Sequence, residues 1–168
     1  MNRDGLRIAA HFALVTLLSY VCGSRITGLV HTASAGTGGL WAVMSGNVAL
    51  QATRRETWSA ARLQIVGTLI GSIVSAAYLA ALPYSEIGMA FCIFGTVLLC
   101  HASRVPDQAR LAALAVGVVM VVSSLHPMLH PVLNSVLRFT EACVGTAVAV
   151  LVITIWPEPK TRPDHEVS

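Results

Sequence analysis

The residues best equipped for chemistry in this sequence are polar groups set inside long apolar runs. Arg138 and Glu141 stand three apart in Leu137-Arg138-Phe139-Thr140-Glu141-Ala142, a spacing that brings both onto one helix face where they can pair. Such a pair is either a structural tie or part of a polar pathway, because charged groups inside a membrane span are functional candidates by default. Ser45, Asn47 and Gln51 lie in a second apolar stretch, and Asn47 falls near its middle. There its amide either bonds a neighbouring helix or touches a solute. Gly67, Gly71 and Ser75 recur at spacing four, so their face admits the close approach of another helix, as a packing groove or as the wall of a pathway. Arg62 stands at the inner end of that face, and Arg25 near the outer end of the first apolar run, from where it snorkels outward or joins the pathway. Gly36, Gly38 and Gly39, ahead of Trp41, would leave that helix start partly unwound, with free N–H groups turned to an anion.

Other chemistries find no machinery. His126 and His130 are four apart in His-Pro-Met-Leu-His-Pro, and a metal pair with His31 or Glu86 as third ligand can be drawn, but Pro127 distorts the helix that such a pair needs. No metal or other cofactor is expected. Cys22, Cys92, Cys100 and Cys143 all lie in apolar stretches and behave as small hydrophobes. No Ser, Cys or Asp has a base at a recognisable spacing, and there is no phosphate-cradling glycine loop. The expectation is a protein that is not an enzyme.

These groups need elements that hold them away from water. Of 168 residues 55% are hydrophobic and 11% charged, with a mean hydropathy of +0.70, which is too little charge for a soluble surface. The net charge of +3 comes from Lys and Arg spread singly and in pairs, so no basic run offers itself to nucleic acid. Continuous apolar runs without period-two alternation predict an all-α membrane bundle, with spans near 6–30, 37–52, 63–82, 87–102, 109–125 and 132–156. One transmembrane domain over 1–157 and a short cytoplasmic tail over 158–168 account for the chain. The first run is kept as a mature helix, since it is long, holds His11 and Arg25 and lacks a clear cleavage site. Spans four and five are short, near the lower limit for crossing a bilayer upright, with a re-entrant pair as the alternative.

Charge sets the orientation. Arg3 and Arg7, Arg54, Arg55 and Arg62, Arg104 and Arg110, and Lys160 and Arg162 fall at alternate breaks, while 31–36, 83–86 and 126–131 hold no Lys or Arg. The excess of basic residues marks the cytoplasmic side, so both termini are expected there, in a bacterial-type inner membrane.

The stretch Trp41-Ala-Val-Met-Ser-Gly-Asn47-Val-Ala-Leu-Gln51-Ala-Thr53, followed by Arg62-Leu-Gln-Ile-Val-Gly67-Thr68-Leu-Ile-Gly71, resembles the fusaric acid resistance family. That family includes aromatic acid exporters and is similar to the aluminium-activated malate channels of plants. A tryptophan opening span two, Gln-x-Thr at its cytoplasmic end, and an arginine with Gly-Thr-x-x-Gly in span three are present in order. Arg138-x-x-Glu141-x-x-x-Gly145 and Pro157 are similar to the family's closing helix. The resemblance implies a six-helix unit that moves small organic anions, aromatic ones among them. Family members usually carry a cytoplasmic domain or a second copy of the six helices, so this chain is expected to pair as a homodimer within membrane lipid. Val66-Gly67-Thr68 recurs as Val144-Gly145-Thr146 three helices later, as a 3+3 inverted repeat would place it.

The leading expectation is an exporter in which Arg62 attracts the anion, Trp41, Asn47 and Gln51 contact it, Arg138 with Glu141 forms an outer polar gate, and Arg25 stands at the outer end. Gly67, Gly71, Ser75 and Gly145 pack helices. The alternative is a membrane scaffold or subunit that transports nothing.

Overall fold

The computed structural model describes residues 3–156, and these are all-helical: α1 (Arg3–Val30), α2 (Ala35–Ala49), α3 (Arg54–Ala81), α4 (Glu86–Ala102), α5 (Ala109–Leu125) and α6 (Pro131–Ile155), with 3-10 turns at Thr32–Ser34 and Pro106–Gln108. Pro157 and the tail 158–168 lie outside the described residues.

Helix length separates these elements. Gly5–Val30, Arg54–Ala81, Pro106–Leu125 and Pro131–Ile155 are long and apolar enough to cross a membrane. With 15 and 17 residues, α2 and α4 reach only about 22 and 26 Å against a hydrocarbon core of about 30 Å. The short helices are therefore the second and fourth, where the sequence pointed to the fourth and fifth. The fifth gains length because the turn at Pro106–Gln108 runs straight into α5, giving an apolar stretch of 20 residues.

The second is shorter than expected because the chain leaves it at Leu50 with φ −69° and ψ 121°. The exposed backbone of this corner is not left without partners: the Thr57 hydroxyl accepts from the Gln51 N–H at 3.0 Å and faces the Gln51 carbonyl at 3.3 Å. α3 then starts nine residues earlier than the expected span at 63. Thr53 accepts the Glu56 N–H at 3.2 Å, and Thr53-Arg-Arg-Glu56 is the Thr-x-x-Glu signature of a helix start. The added turns carry Arg54, Arg55 and Trp58, all exposed.

Helix α6 is central, packing against α1, α2, α3 and α5. Its approach to α2 is backbone to backbone: a Cβ on Gly145 would overlap the Ala42 carbonyl and stand 2.9 Å from the Gly46 nitrogen. On the other side α3 meets α5 in the same manner, where a Cβ on Gly67 would lie 2.7 Å from the Leu111 Cβ and one on Gly71 would meet Ala112 and Ala115. The glycine face of α3 is thus a packing groove. In lipid, small residues at contacts replace the hydrophobic drive that water supplies to soluble bundles.

The α4 C-terminus closes with Val105 N–H on Cys100 O at 2.9 Å and Arg104 N–H on His101 O at 3.1 Å, a Schellman cap. Arg104 takes the left-handed position with φ 58°, where glycine is the unstrained residue.

Two outcomes follow for the unfolding midpoint in detergent. Gly145→Ala lowers it, by an overpacking cost of about 1–3 kcal/mol, while Gly95→Ala, whose Cβ would meet nothing within 4 Å, leaves it in place. Arg104→Gly raises stability by up to about 1 kcal/mol through relief of the left-handed backbone.

Candidate functional site

Asn134, Arg138, Glu141 and Gly145 succeed one another on α6 at steps of four, three and four, one stripe of the helix, and all four are buried. Arg138 lies about two turns into α6. Its Nη1 is 2.9 Å from Glu141 Oε2, and neither side chain has any exposed surface. The other carboxylate oxygen accepts a hydrogen bond from the Thr27 hydroxyl of α1. Trp41 of α2 is buried and donates its indole N–H to the Arg138 carbonyl at 2.9 Å. Three helices therefore meet on two adjacent turns of α6.

Gly38 makes the meeting possible. A Cβ there would collide with both the Thr27 hydroxyl and the Glu141 carboxylate, so only glycine lets the first turn of α2 lie against the acid. The glycines ahead of Trp41 are helical rather than unwound, since α2 runs unbroken from Ala35. Lacking Cβ atoms, they let the neighbouring helices close in, and the anion beside that positive helix end is the chain's own Glu141.

The guanidinium is under-used. Of its five N–H donors, those on Nε and Nη2 have no hydrogen-bond partner among the described residues, and Nη1 faces Glu141 as an ion pair without an aligned hydrogen bond. A buried charge so sparsely satisfied is expensive in a low-dielectric interior. It also offers the planar fork that suits a carboxylate.

The other expected residues are distributed differently. Asn47 is half-buried and its amide donates to the Thr16 hydroxyl of α1 at 3.1 Å. Asn47 and Gln51 line one pocket of about 440 Å³ with Ala60, Leu63, Asp107, Arg110, Leu111 and Leu114. Arg62 is exposed and lines a different pocket, with Arg54, Arg55, Trp58 and Ser59. Arg25 is exposed on α1, away from the buried pair. Ser75 is buried and bonds back to the Gly71 carbonyl of its own helix at 2.8 Å. His31 and His126 do meet, with ring centroids 5.7 Å apart, yet among the described residues no three metal-ligating side chains gather.

Several polar contacts escaped the sequence reading. Gln64 donates to the Ser45 hydroxyl at 3.1 Å between α3 and α2. Asn134 donates to Val119 O and Ser123 on α5 at 2.9 and 2.8 Å. Also missed were the Thr27 hydroxyl on Glu141 and the place of Arg110 and Asp107 in the lining of the Asn47 pocket. Thr27 had a signal: Ser19, Gly23 and Thr27 recur at spacing four and are all buried, the small and polar stripe of a tight membrane contact.

A family model described as fusaric acid resistance protein-like matches residues 14–152, a stretch that contains every residue of this site. No curated protein and no solved structure matches the chain.

A double-mutant cycle tests the pair. Arg138→Met and Glu141→Leu each cost about 3–5 kcal/mol by leaving one charge buried alone, and the double variant recovers most of that loss. Unfolding in detergent measures all three; strictly additive losses would show that the two groups are not coupled.

Proposed function

We propose, from the fact that the chain belongs to the fusaric acid resistance protein-like family, that it is a multi-pass transporter that exports small organic anions, aromatic carboxylates among them, across a bacterial-type inner membrane. The observation that carries this proposal is the Arg138 guanidinium, fully buried with two of its nitrogens unpartnered among the described residues. A carboxylate would supply the partners that the bundle withholds. Glu141 opposes it, so the anion is held weakly enough to leave, which transport requires as much as binding.

The way in lies between α2, α3 and α5, where Asn47, Gln51 and Arg110 line the 440 Å³ pocket. Arg110 takes the attracting role that the sequence suggested for Arg62, with the two amides as hydrogen-bond donors. The Gln64–Ser45 contact lies between this vestibule and Arg138, and Trp41 holds the α6 backbone at the arginine through its carbonyl.

The proposal includes six crossings with both termini cytoplasmic. It is supported by Arg54, Arg55, Arg62, Arg104 and Arg110 falling at one end of the bundle. The corner at 50–53, with its backbone on Thr57, and the turn at Thr32–Ser34 extend the reach of α2. It also includes a 3+3 inverted repeat. Exchanging α1 with α4, α2 with α5 and α3 with α6 maps every packed helix pair onto another packed pair: α1–α2 onto α4–α5, α2–α6 onto α5–α3, α1–α6 onto α4–α3, α2–α3 onto α5–α6, and α3–α6 onto itself. Gly67 against α5 and Gly145 against α2 are equivalent contacts under that exchange. Two such units rocking about a shared α3–α6 seam give alternating access. A homodimer belongs to the same proposal.

Proteoliposome flux of benzoate tests this. Arg138→Lys keeps a charge but loses the fork, and lowers the maximal flux about tenfold or more, the equivalent of one charge-assisted hydrogen bond at about 1.5–3 kcal/mol. Arg110→Gln raises the half-saturating concentration with the maximal rate retained. If folded wild-type protein passes no carboxylate and a stable partner protein co-purifies with it, the scaffold alternative replaces the transporter.

A further inference from the structure

We infer that the cytoplasmic end of the groove between α3 and α6 holds one anionic phospholipid, its phosphate on Arg54, Arg55 and Arg62 and one acyl chain lying along the groove. Two pockets share a wall here. One, of about 640 Å³, is lined by Arg54, Arg55, Trp58, Ser59 and Arg62. The other, of about 380 Å³, is lined by Arg54 and Trp58 and then by Ala61, Ile65 and apolar or small residues of α6, among them Ala147 and Val150. A basic mouth thus opens into an apolar channel.

Charge complementarity selects the occupant. None of the three arginines has an ion pair or hydrogen bond among the described residues, and Glu56, the acid in the first turn of α3, is not in the lining of either pocket. The pocket therefore presents uncompensated positive charge with forked donors, the chemistry of a phosphate site. A soluble phosphate leaves the apolar half unfilled, whereas a phospholipid fills both. Depth agrees: Arg54 to Ile65 along α3 spans about 16 Å, close to half of a hydrocarbon core of about 30 Å. Trp58 stands where membrane proteins carry aromatic residues, at the headgroup level. In the orientation proposed above, the mouth faces the leaflet whose surface is anionic and attracts basic clusters.

Each arginine close to such a surface strengthens binding about fivefold. The test uses the purified full chain in detergent, titrated with phosphatidylglycerol or phosphatidylcholine carrying brominated acyl chains. Quenching at Trp58 is read as the difference between wild type and Trp58→Phe. The expected result is half-quenching at a concentration about tenfold or more lower for phosphatidylglycerol than for phosphatidylcholine. Arg54→Gln/Arg55→Gln/Arg62→Gln brings the two curves together. These side chains are exposed, so folding is retained, and the unfolding midpoint confirms it. Ala147→Phe, at an exposed position in the groove, weakens quenching by phosphatidylglycerol with the arginines intact.

Coincident curves in wild type, or a preference that survives the triple substitution, overturn the inference. Displacement of phosphatidylglycerol by millimolar inorganic phosphate assigns the mouth to a free anion instead. Trp58 quenched by neither lipid overturns it as well. None of these readouts depends on flux, so the lipid site and the transport proposal fail independently.

Discussion

An arginine and a glutamate held together with no exposed surface, inside a bundle whose other buried polar side chains apart from His11 are uncharged amides and hydroxyls, constrain everything around them. Neither charge is tolerable alone at that depth, so each must have the other within reach, and the backbone must be arranged to permit it. The arrangement is visible in what surrounds the pair. Thr27 supplies the hydroxyl on one carboxylate oxygen, Trp41 occupies the Arg138 carbonyl, and Gly38 is glycine because any side chain would strike the acid. α1 and α2 are thereby fixed to α6 by polar groups that have nowhere else to go.

The same close approach that serves the pair sets up the rest of the packing. Gly145 lies one turn below Glu141 and brings α6 against Ala42 and Gly46 of α2, while Gly67 and Gly71 bring α3 against α5. Glycine contacts hold helices by dispersion and backbone proximity and have no long side chains to disengage. Such contacts can slide or tilt by small amounts at modest cost, which an interlocked large-side-chain core resists. The polar ties concentrate on α1, α2 and α6. Between α3 and α6, where the two halves of the proposed repeat meet, the described residues hold no side-chain hydrogen bond.

Much of this was legible in the chain. The helical class and the rough position of each helix came from run length, because hydrocarbon leaves the backbone no other way to pair its own groups. Arg138 with Glu141 was legible from spacing, since helix geometry alone puts residues three apart side by side. What spacing along one helix did not supply was which polar residues on different helices share a pocket. Arg62, taken as the inner end of the glycine face, and Asn47, taken as a polar group within its span, were assigned to one anion path, yet they line separate pockets. Nothing in a single apolar run says which side faces its neighbour. The early start of α3 was legible and passed over: Thr53-Arg-Arg-Glu56 begins a helix, but its charged residues read as a loop when only apolar runs are counted. Thr27 could have been picked out by its stripe with Ser19 and Gly23, but its partner on α6 could not, and Arg110 could not have been chosen beforehand because it shares a pocket with residues of helices distant in sequence.

The arginines show how one residue type divides its duties by solvent. Arg138 is surrounded by protein, where its charge must be answered within the bundle and where any donor left over is a standing attraction for an anion. Arg110 is exposed and lines a pocket with Asp107, Asn47 and Gln51, where water can solvate the charge. Arg54, Arg55 and Arg62 stand at the bundle surface beside an apolar groove, at the boundary where a long side chain keeps its stem in lipid and its head in water. In the proposed transporter a cation in the first place selects and in the second gathers, and in the proposed lipid site the third anchors. Exchanging any of them would put the same charge under a different dielectric, and with it a different function.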